Sequence, residues 1–135
     1  MTAPLAGKTI LMSGGSRGIG LAIALRAAAD GANIALLAKT DVPDPRLPGT
    51  IHTAAEEIRA AGGNALAIVG DVRNDDDITE AVMKTQGEFG GIDIVVNNAS
   101  VLSLAGSLDL DAKRYDLMQD VNVRGTFMLS RAAIP

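Results

Sequence analysis

Short aliphatic runs alternate along the chain with longer segments in which apolar residues recur at helical spacing. Four of these runs predict buried strands, because each is short, rich in Ala, Val, Ile and Leu, and bounded by glycine or polar residues. The predicted strands are KTILMS at 8–13, NIALLA at 33–38, ALAIVGDV at 65–72 and IDIVVNNAS at 92–100.

The segments between these runs predict helices, several of them with a start or stop signal of their own. A T-x-x-E capping box and glycines just past a periodic segment are signals of this kind. The predicted helices run from Gly18 to about Asp30 before Gly31, from the box of Thr53 and Glu56 to Gly62, along the face of Ile78, Val82, Thr85 and Phe89, and over 109–135 with a bend near Asp120–Gly125.

Strand and helix alternate in the order βαβαβαβα, which predicts an α/β fold with a doubly wound parallel sheet. Residues 39–50 contain Pro43, Pro45 and Pro48 and predict an extended surface loop. In such sheets ligands bind at the carboxyl ends of the strands. Polar clusters follow all four predicted strands, so the sequence predicts one crevice shared by those four ends.

The amino-acid composition excludes several classes of protein. The 135 residues suit a single domain, and the 47% hydrophobic content with only 2% aromatic residues predicts an aliphatic core. A net charge of −4 without a basic block argues against nucleic-acid binding. The chain has no cysteine, one histidine (His52) and no long apolar run. We therefore expect no metal site, no membrane span and a soluble, cytoplasmic protein.

The segment SGGSRGIG follows the first predicted strand and opens the first predicted helix. Glycines in such a turn let the backbone approach a pyrophosphate, and the helix start supplies N–H donors and a positive dipole end. A Walker A loop is excluded, because Gly7-Lys8-Thr9 precedes the strand and Thr2 stands where that motif needs glycine. The candidate pyrophosphate-binding residues are Gly14, Gly15, Ser16, Arg17, Gly18, Ile19 and Gly20.

The residues at the end of the second strand indicate which dinucleotide is bound. NAD-binding proteins carry an acidic side chain there for the ribose 2′-hydroxyl. This chain instead has Ala38 followed by Lys39, and Arg17 could reach the same place. Two cations without a carboxylate favour a 2′-phosphate, so NADP(H) is predicted over NAD(H).

Two further strand ends carry candidate cofactor contacts. Asp71 could accept a hydrogen bond from the adenine amino group and Val72 could pack on the ring, although turn capping accounts equally well for Asp71. In the fourth segment, buried amides require partners, and small residues leave room for a cofactor. The candidates in that segment are Asn98, Ala99 and Ser100.

The motifs SGGSRGIG, GDV, NNAS and VNVRGTF, in that order, resemble the short-chain dehydrogenase/reductase family. A narrower similarity, carried by AKT, the proline-rich segment and GTIHTAAEEI, is to a subgroup of hydroxysteroid dehydrogenase-like proteins. The resemblance implies a Rossmann fold with strand order 3-2-1-4 for these four strands. It also implies an oxidoreductase that moves a hydride between nicotinamide and a small-molecule carbonyl or alcohol, with lipid-like or steroid-like substrates suggested by the subgroup.

In this family a Ser, a Tyr and a Lys four residues after the Tyr carry out the reaction with a helical Asn. Only the Asn has a counterpart here, Asn122, because Tyr115 precedes it and is followed at the fourth position by Gln119. We therefore expect residues 1–135 to be the NADP-binding part of one domain that is truncated before the catalytic segment and inactive alone. The resemblance implies a homo-oligomer for the longer protein.

Two alternative functions remain open at this point. A non-catalytic dinucleotide-binding module could pair the exposed edge of its fourth strand with another chain. A Rossmann methyltransferase is less favoured, because Met12 and Ser13 stand where such proteins usually carry an acidic residue.

Overall fold

A parallel four-stranded sheet forms the centre of the structure, a computed structural model that describes residues 3–39 and 50–134. The strand order is β3-β2-β1-β4, which confirms the doubly wound parallel sheet and the order 3-2-1-4. The elements are β1 (Thr9–Ser13), α1 (Gly18–Ala29), β2 (Asn33–Ala38), α2 (Ile51–Ala60), β3 (Asn64–Val69), α3 (Asp75–Phe89), β4 (Ile94–Asn97), α4 (Ala112–Met118), a π-helix (Gln119–Gly125) and α5 (Thr126–Ala133).

Alternation along the strands divides the core into two layers, since successive side chains point to opposite faces of a sheet. Ile10 and Met12 face α1 and α2, whereas Leu11 faces α3, the π-helix and α5. The sheet register places Met12 beside Leu36 and Val96. Burying a Leu or Ile side chain stabilises a protein by about 2 kcal/mol, so these aliphatic strands hold the layers together without aromatic residues.

The second helix begins earlier than the sequence predicted. Its N-cap is Thr50 and its first residue is Ile51, so the predicted box of Thr53 and Glu56 is wrong. The Thr50 hydroxyl accepts from the Thr53 N–H at 3.2 Å, and the Thr53 hydroxyl accepts from the Thr50 N–H at 2.7 Å. A threonine at the third helical position takes the part that glutamate usually plays in this box.

Two strands and the last helical segment are shorter in the structure than the sequence predicted. The third strand ends at Val69 rather than at 72, because the N–H of Asp71 donates to the Asp77 carboxylate at 2.9 Å instead of continuing the sheet. The fourth strand is Ile94–Asn97 rather than 92–100. The last helical segment starts after its N-cap Asp111, and the bend predicted near Asp120–Gly125 is the π-helix.

The predicted proline loop falls mostly on residues 40–49, which lie outside the described residues, as does Asp41. No helix in the described part of the chain is long and apolar enough to cross a membrane.

Candidate cofactor-binding site

A cavity of about 460 Å³ lies at the carboxyl ends of the four strands, where the sequence predicted a shared crevice. Twelve of the thirteen predicted cofactor residues line it; Gly18, at the loop's outer side, is not among the lining residues. The lining residues are Gly14, Gly15, Ser16, Arg17, Ile19, Gly20, Leu37, Ala38, Lys39, Gly70, Asp71, Val72, Arg73, Asn98, Ala99, Ser100, Val101, Leu117 and Val121.

Glycine is required at different positions of the loop for different structural reasons. A Cβ at Gly14 would lie 2.6 Å from the Asn98 amide nitrogen, and a Cβ at Gly20 would collide with the same amide. These two glycines make room for Asn98. Gly18 has nothing within 4 Å of its Cβ position and a φ of +62°, so it is the loop glycine that faces open space.

Asn98 therefore packs into the loop that joins β1 to α1, although some eighty positions separate the two segments in the sequence. The contact between β1 and the segment after β4 is reinforced by Ser13, whose hydroxyl accepts from the Ala99 N–H at 3.1 Å. Asn97 points elsewhere and donates to the Ser130 hydroxyl at 3.0 Å. The NNAS segment thus forms the part of the cavity wall that is packed beside the glycine loop.

Among the described helices that begin after a loop, α1 is the one whose start lacks a side-chain cap; the π-helix and α5 also lack one, but they continue directly from the helix before them. The helices α2, α3 and α4 each receive a side-chain cap, from Thr50, Asn74 and Asp111. At α1 the N-cap is Arg17, with no side-chain cap bond and no acidic residue in the first turn. Because Ile19 and Gly20 of this first turn line the cavity, the helix presents its positive end there, an arrangement that suits a phosphate.

The charged end of the cavity is formed by Lys39, Asp71 and Arg73. The Arg73 guanidinium donates to both Asp71 oxygens, with Nη2 2.7 Å from Oδ2 and Nε 3.2 Å from Oδ1. The Nζ of Lys39 is 3.9 Å from Asp71 Oδ2. The hydrogen bonds from Arg73 hold the pKa of the Asp71 carboxyl below its usual value, and the nearby Lys39 acts in the same direction.

Arg73 was not among the predicted site residues. No motif marks an arginine four residues after the end of a strand, and its position on the cavity wall depends on the turn that follows β3 at Gly70. The pairing of Asp71 with a following Arg at the end of a strand is the one signal that could have suggested it.

Asn122 lies in the π-helix and does not line the cavity, but its side chain is hydrogen-bonded to Val101, which does. Its amide oxygen accepts from the Val101 N–H at 2.8 Å, and its amide nitrogen donates to the Val101 carbonyl at 2.8 Å. The Thr126 hydroxyl donates to the Asn122 carbonyl at 2.9 Å. This side chain thus fastens the segment after β4 to the π-helix.

The π-helix also contacts the segment after β3. Arg124 donates to both carboxylate oxygens of Asp75 at 2.8 and 3.0 Å, which lowers the pKa of Asp75. A Cβ at Gly125 would lie 3.0 Å from Val72 Cγ2, so the helix and the cavity wall are in close contact.

His52 is exposed and Tyr115 is 52% exposed; neither lines the cavity.

A sequence profile of the family described as short chain dehydrogenase matches residues 8–135. Hydroxysteroid dehydrogenase-like protein 2 of Bos taurus is 58% identical to this chain over 134 residues. The match covers 99% of this chain and 32% of the bovine protein, so the chain spans about a third of that relative.

Solved structures agree with the sequence comparison. A short chain dehydrogenase of Mycobacterium thermoresistibile is 60% identical with a TM-score of 0.95, over 97% of this chain and 47% of that one. The NADH-dependent reductase A1-R′, solved in complex with NAD, is 32% identical with a TM-score of 0.85, over 100% of this chain and 54% of that one.

Proposed function

The chain belongs to the short-chain dehydrogenase family, and on that premise we propose that its cavity binds NADP(H) for hydride transfer with a carbonyl or alcohol. The observation that carries the proposal is the pairing of an uncapped helix start with Arg17 and Lys39 on the same cavity. Both features attract negative charge, and a dinucleotide with a 2′-phosphate has three phosphate groups to place.

The pyrophosphate is proposed to lie against the first turn of α1. There Ile19 and Gly20 line the cavity, whereas Gly18 does not. A carboxylate cap at this helix start would compete with the phosphate, which gives a reason why α1 lacks the cap that α2, α3 and α4 have.

The preference for NADP(H) rests on the residues of this chain, since one related reductase is NADH-dependent. Lys39 directly follows β2, and its side chain is 64% exposed, so it can turn toward a 2′-phosphate. The segment 3–39 places no carboxylate at the end of β2 for a 2′-hydroxyl. Ala38 leaves space beside the ribose.

The adenine and nicotinamide ends are proposed to contact different strand ends. Asp71 and Val72 border the half of the cavity near Lys39, which suits the adenine ring. Asn98, Ala99 and Ser100 border the glycine loop after β4, and they are proposed to line the path of the cofactor toward its nicotinamide.

Hydride transfer requires groups beyond those described here. Asn122 is proposed to support the reaction by holding Val101 and the segment after β4 in place. Residues 1–135 contain no Y-x-x-x-K, so we propose that they do not turn over substrate alone and that the acid and base come from other residues of the longer enzyme. The substrate class (small carbonyls or alcohols, steroid-like ones among them) and homo-oligomer formation are part of this proposal.

Replacing Lys39 tests the cofactor preference. In the natural full-length chain, Lys39→Gln is expected to weaken NADPH binding about tenfold and to change NADH binding less than twofold, because one charge-assisted phosphate contact is lost. Isothermal titration calorimetry measures both affinities. Lys84→Gln is the matched control, since Lys84 pairs with Glu80 on α3 and does not line the cavity. Equal weakening of both cofactors by Lys39→Gln would contradict the assignment of the 2′-phosphate.

A non-catalytic module that pairs with another chain is the second candidate. It is favoured by β4, which is hydrogen-bonded to β1 alone among the described strands and so forms an edge of the sheet. Intact-mass measurement of the natural protein distinguishes the two functions. A mass that corresponds to residues 1–135 would support the module, and a longer chain with Y-x-x-x-K would support the enzyme.

A further inference from the structure

We propose that Arg73 is a specificity-determining residue that neutralises Asp71 and so allows a phosphorylated ribose to bind beside Lys39. This inference deepens the proposed function and rests on it. Asp71 is the one carboxylate among the described residues that line the cavity. It stands next to the lysine that would receive the 2′-phosphate, so its charge bears directly on the choice of cofactor.

Asp71 is held far more tightly by Arg73 than by Lys39. Both of its carboxylate oxygens accept from the Arg73 guanidinium, and Oδ1 also accepts from the Arg73 backbone N–H at 2.9 Å. Planar, two-point pairing of this kind is strong and directional. The Lys39 contact of 3.9 Å is at the limit of an ion pair, and the Lys39 side chain is mostly in solvent.

The pairing has a consequence for any anion at Lys39. A phosphate in contact with Lys39 would lie within a Debye length, about 8 Å, of the Asp71 carboxylate. An unpaired carboxylate there would repel the phosphate and would also attract Lys39 away from it. Because Arg73 occupies both oxygens of the carboxylate and balances its charge, Lys39 is left to the ligand.

The binding of a cofactor without the 2′-phosphate does not depend in this way on the charge of Asp71. Its ribose carries no charge next to Lys39, so the state of Asp71 affects it through the adenine alone. The ratio of the affinities for an adenosine ligand with and without a 2′-phosphate therefore reports the net charge of the Asp71–Arg73 pair. General damage to the adenine site lowers both affinities and leaves the ratio unchanged.

The test measures binding of 2′,5′-ADP and 5′-AMP, which differ only in the 2′-phosphate, to the natural full-length chain by isothermal titration calorimetry. In Arg73→Gln the affinity for 2′,5′-ADP is expected to fall about threefold to tenfold, with the affinity for 5′-AMP changed less than twofold, a range set by partly exposed charges. The backbone bond from residue 73 to Asp71 does not need the side chain, so the turn is retained. Arg26→Gln is the matched control, because Arg26 pairs with Asp30 away from the cavity.

A second variant separates charge from structure. Asp71→Asn combined with Arg73→Gln removes both charges and is expected to restore the ligand ratio to within about twofold of the wild type, even if both affinities fall. Asp71→Asn alone leaves Arg73 unbalanced and is expected to shift the ratio further toward 2′,5′-ADP. Higher ionic strength should reduce all of these differences.

The outcomes are distinct. A ratio that Arg73→Gln leaves unchanged, or one that the double variant does not restore, overturns the inference while leaving the proposed function in place. A wild-type protein that binds neither ligand overturns both.

Discussion

At the scale of single residues, the candidate site is built from contacts between segments that are distant in the sequence. Asn98 fills the space that Gly14 and Gly20 leave, and Asn122 fixes Val101 through two hydrogen bonds. The sequence marked Gly14, Gly20 and Asn98 as candidate cofactor contacts, and this stays a prediction. The packing of Asn98 against the two glycines could not be predicted, because it depends on how β1 and β4 align in the sheet.

Alanine substitutions distinguish the two kinds of glycine in the loop. Gly20→Ala is expected to lower the free energy of unfolding by about 1–3 kcal/mol, because the added Cβ meets Asn98 and the Gly15 backbone. Gly18→Ala meets open space but has a left-handed φ, so about 1 kcal/mol is expected. Urea denaturation followed by circular dichroism measures both changes.

The double variant Gly20→Ala with Asn98→Ala is the control for this packing. Removing the Asn98 amide relieves part of the collision, so the double variant should be less destabilised than the sum of the two single variants. Strict additivity would show that Asn98 is not what requires glycine at position 20.

At the scale of helices and strands, the pattern of apolar residues predicted the four strands and the helical segments; it missed several of their ends and the π-helix between α4 and α5. The four strands and their order follow from alternation together with the family resemblance, and both are confirmed. The start of α2 was wrong because a threonine can close a capping box as well as a glutamate. The end of β3 was wrong because Asp77 takes the N–H of Asp71, a contact that apolar patterning does not record.

The capped and uncapped helix starts predict different consequences of substitution. Thr50→Val keeps the buried shape but removes the cap of α2, so a loss of about 1 kcal/mol of stability is expected. Nucleotide affinity should not change, because Thr50 and α2 do not line the cavity. Thermal denaturation and calorimetric titration with NADPH measure the two quantities. If Thr50→Val had wild-type stability or weakened NADPH binding, it would contradict the claim that the start of α2 has a structural role and the start of α1 a ligand-binding role.

At the scale of the whole molecule, the described residues bring four strand ends to one cavity that carries three cations and one carboxylate. The sequence predicted the crevice and twelve of the nineteen residues that line it, because the carboxyl ends of parallel strands meet at one edge of the sheet. It did not predict the charge balance, since Arg73 contributes through a pairing that only the folded turn creates. The family is established for residues 8–135, and the reaction, the substrate class and the assembly are proposals that follow from it.

The most direct test is a crystal structure of the natural full-length chain with NADP⁺ bound. The account predicts a pyrophosphate against the first turn of α1 at Ile19 and Gly20, and a 2′-phosphate within about 4 Å of Lys39 or Arg17. It also predicts that Asp71 remains paired with Arg73. A 2′-phosphate that points into solvent away from both cations, or a pyrophosphate bound away from the start of α1, would contradict it.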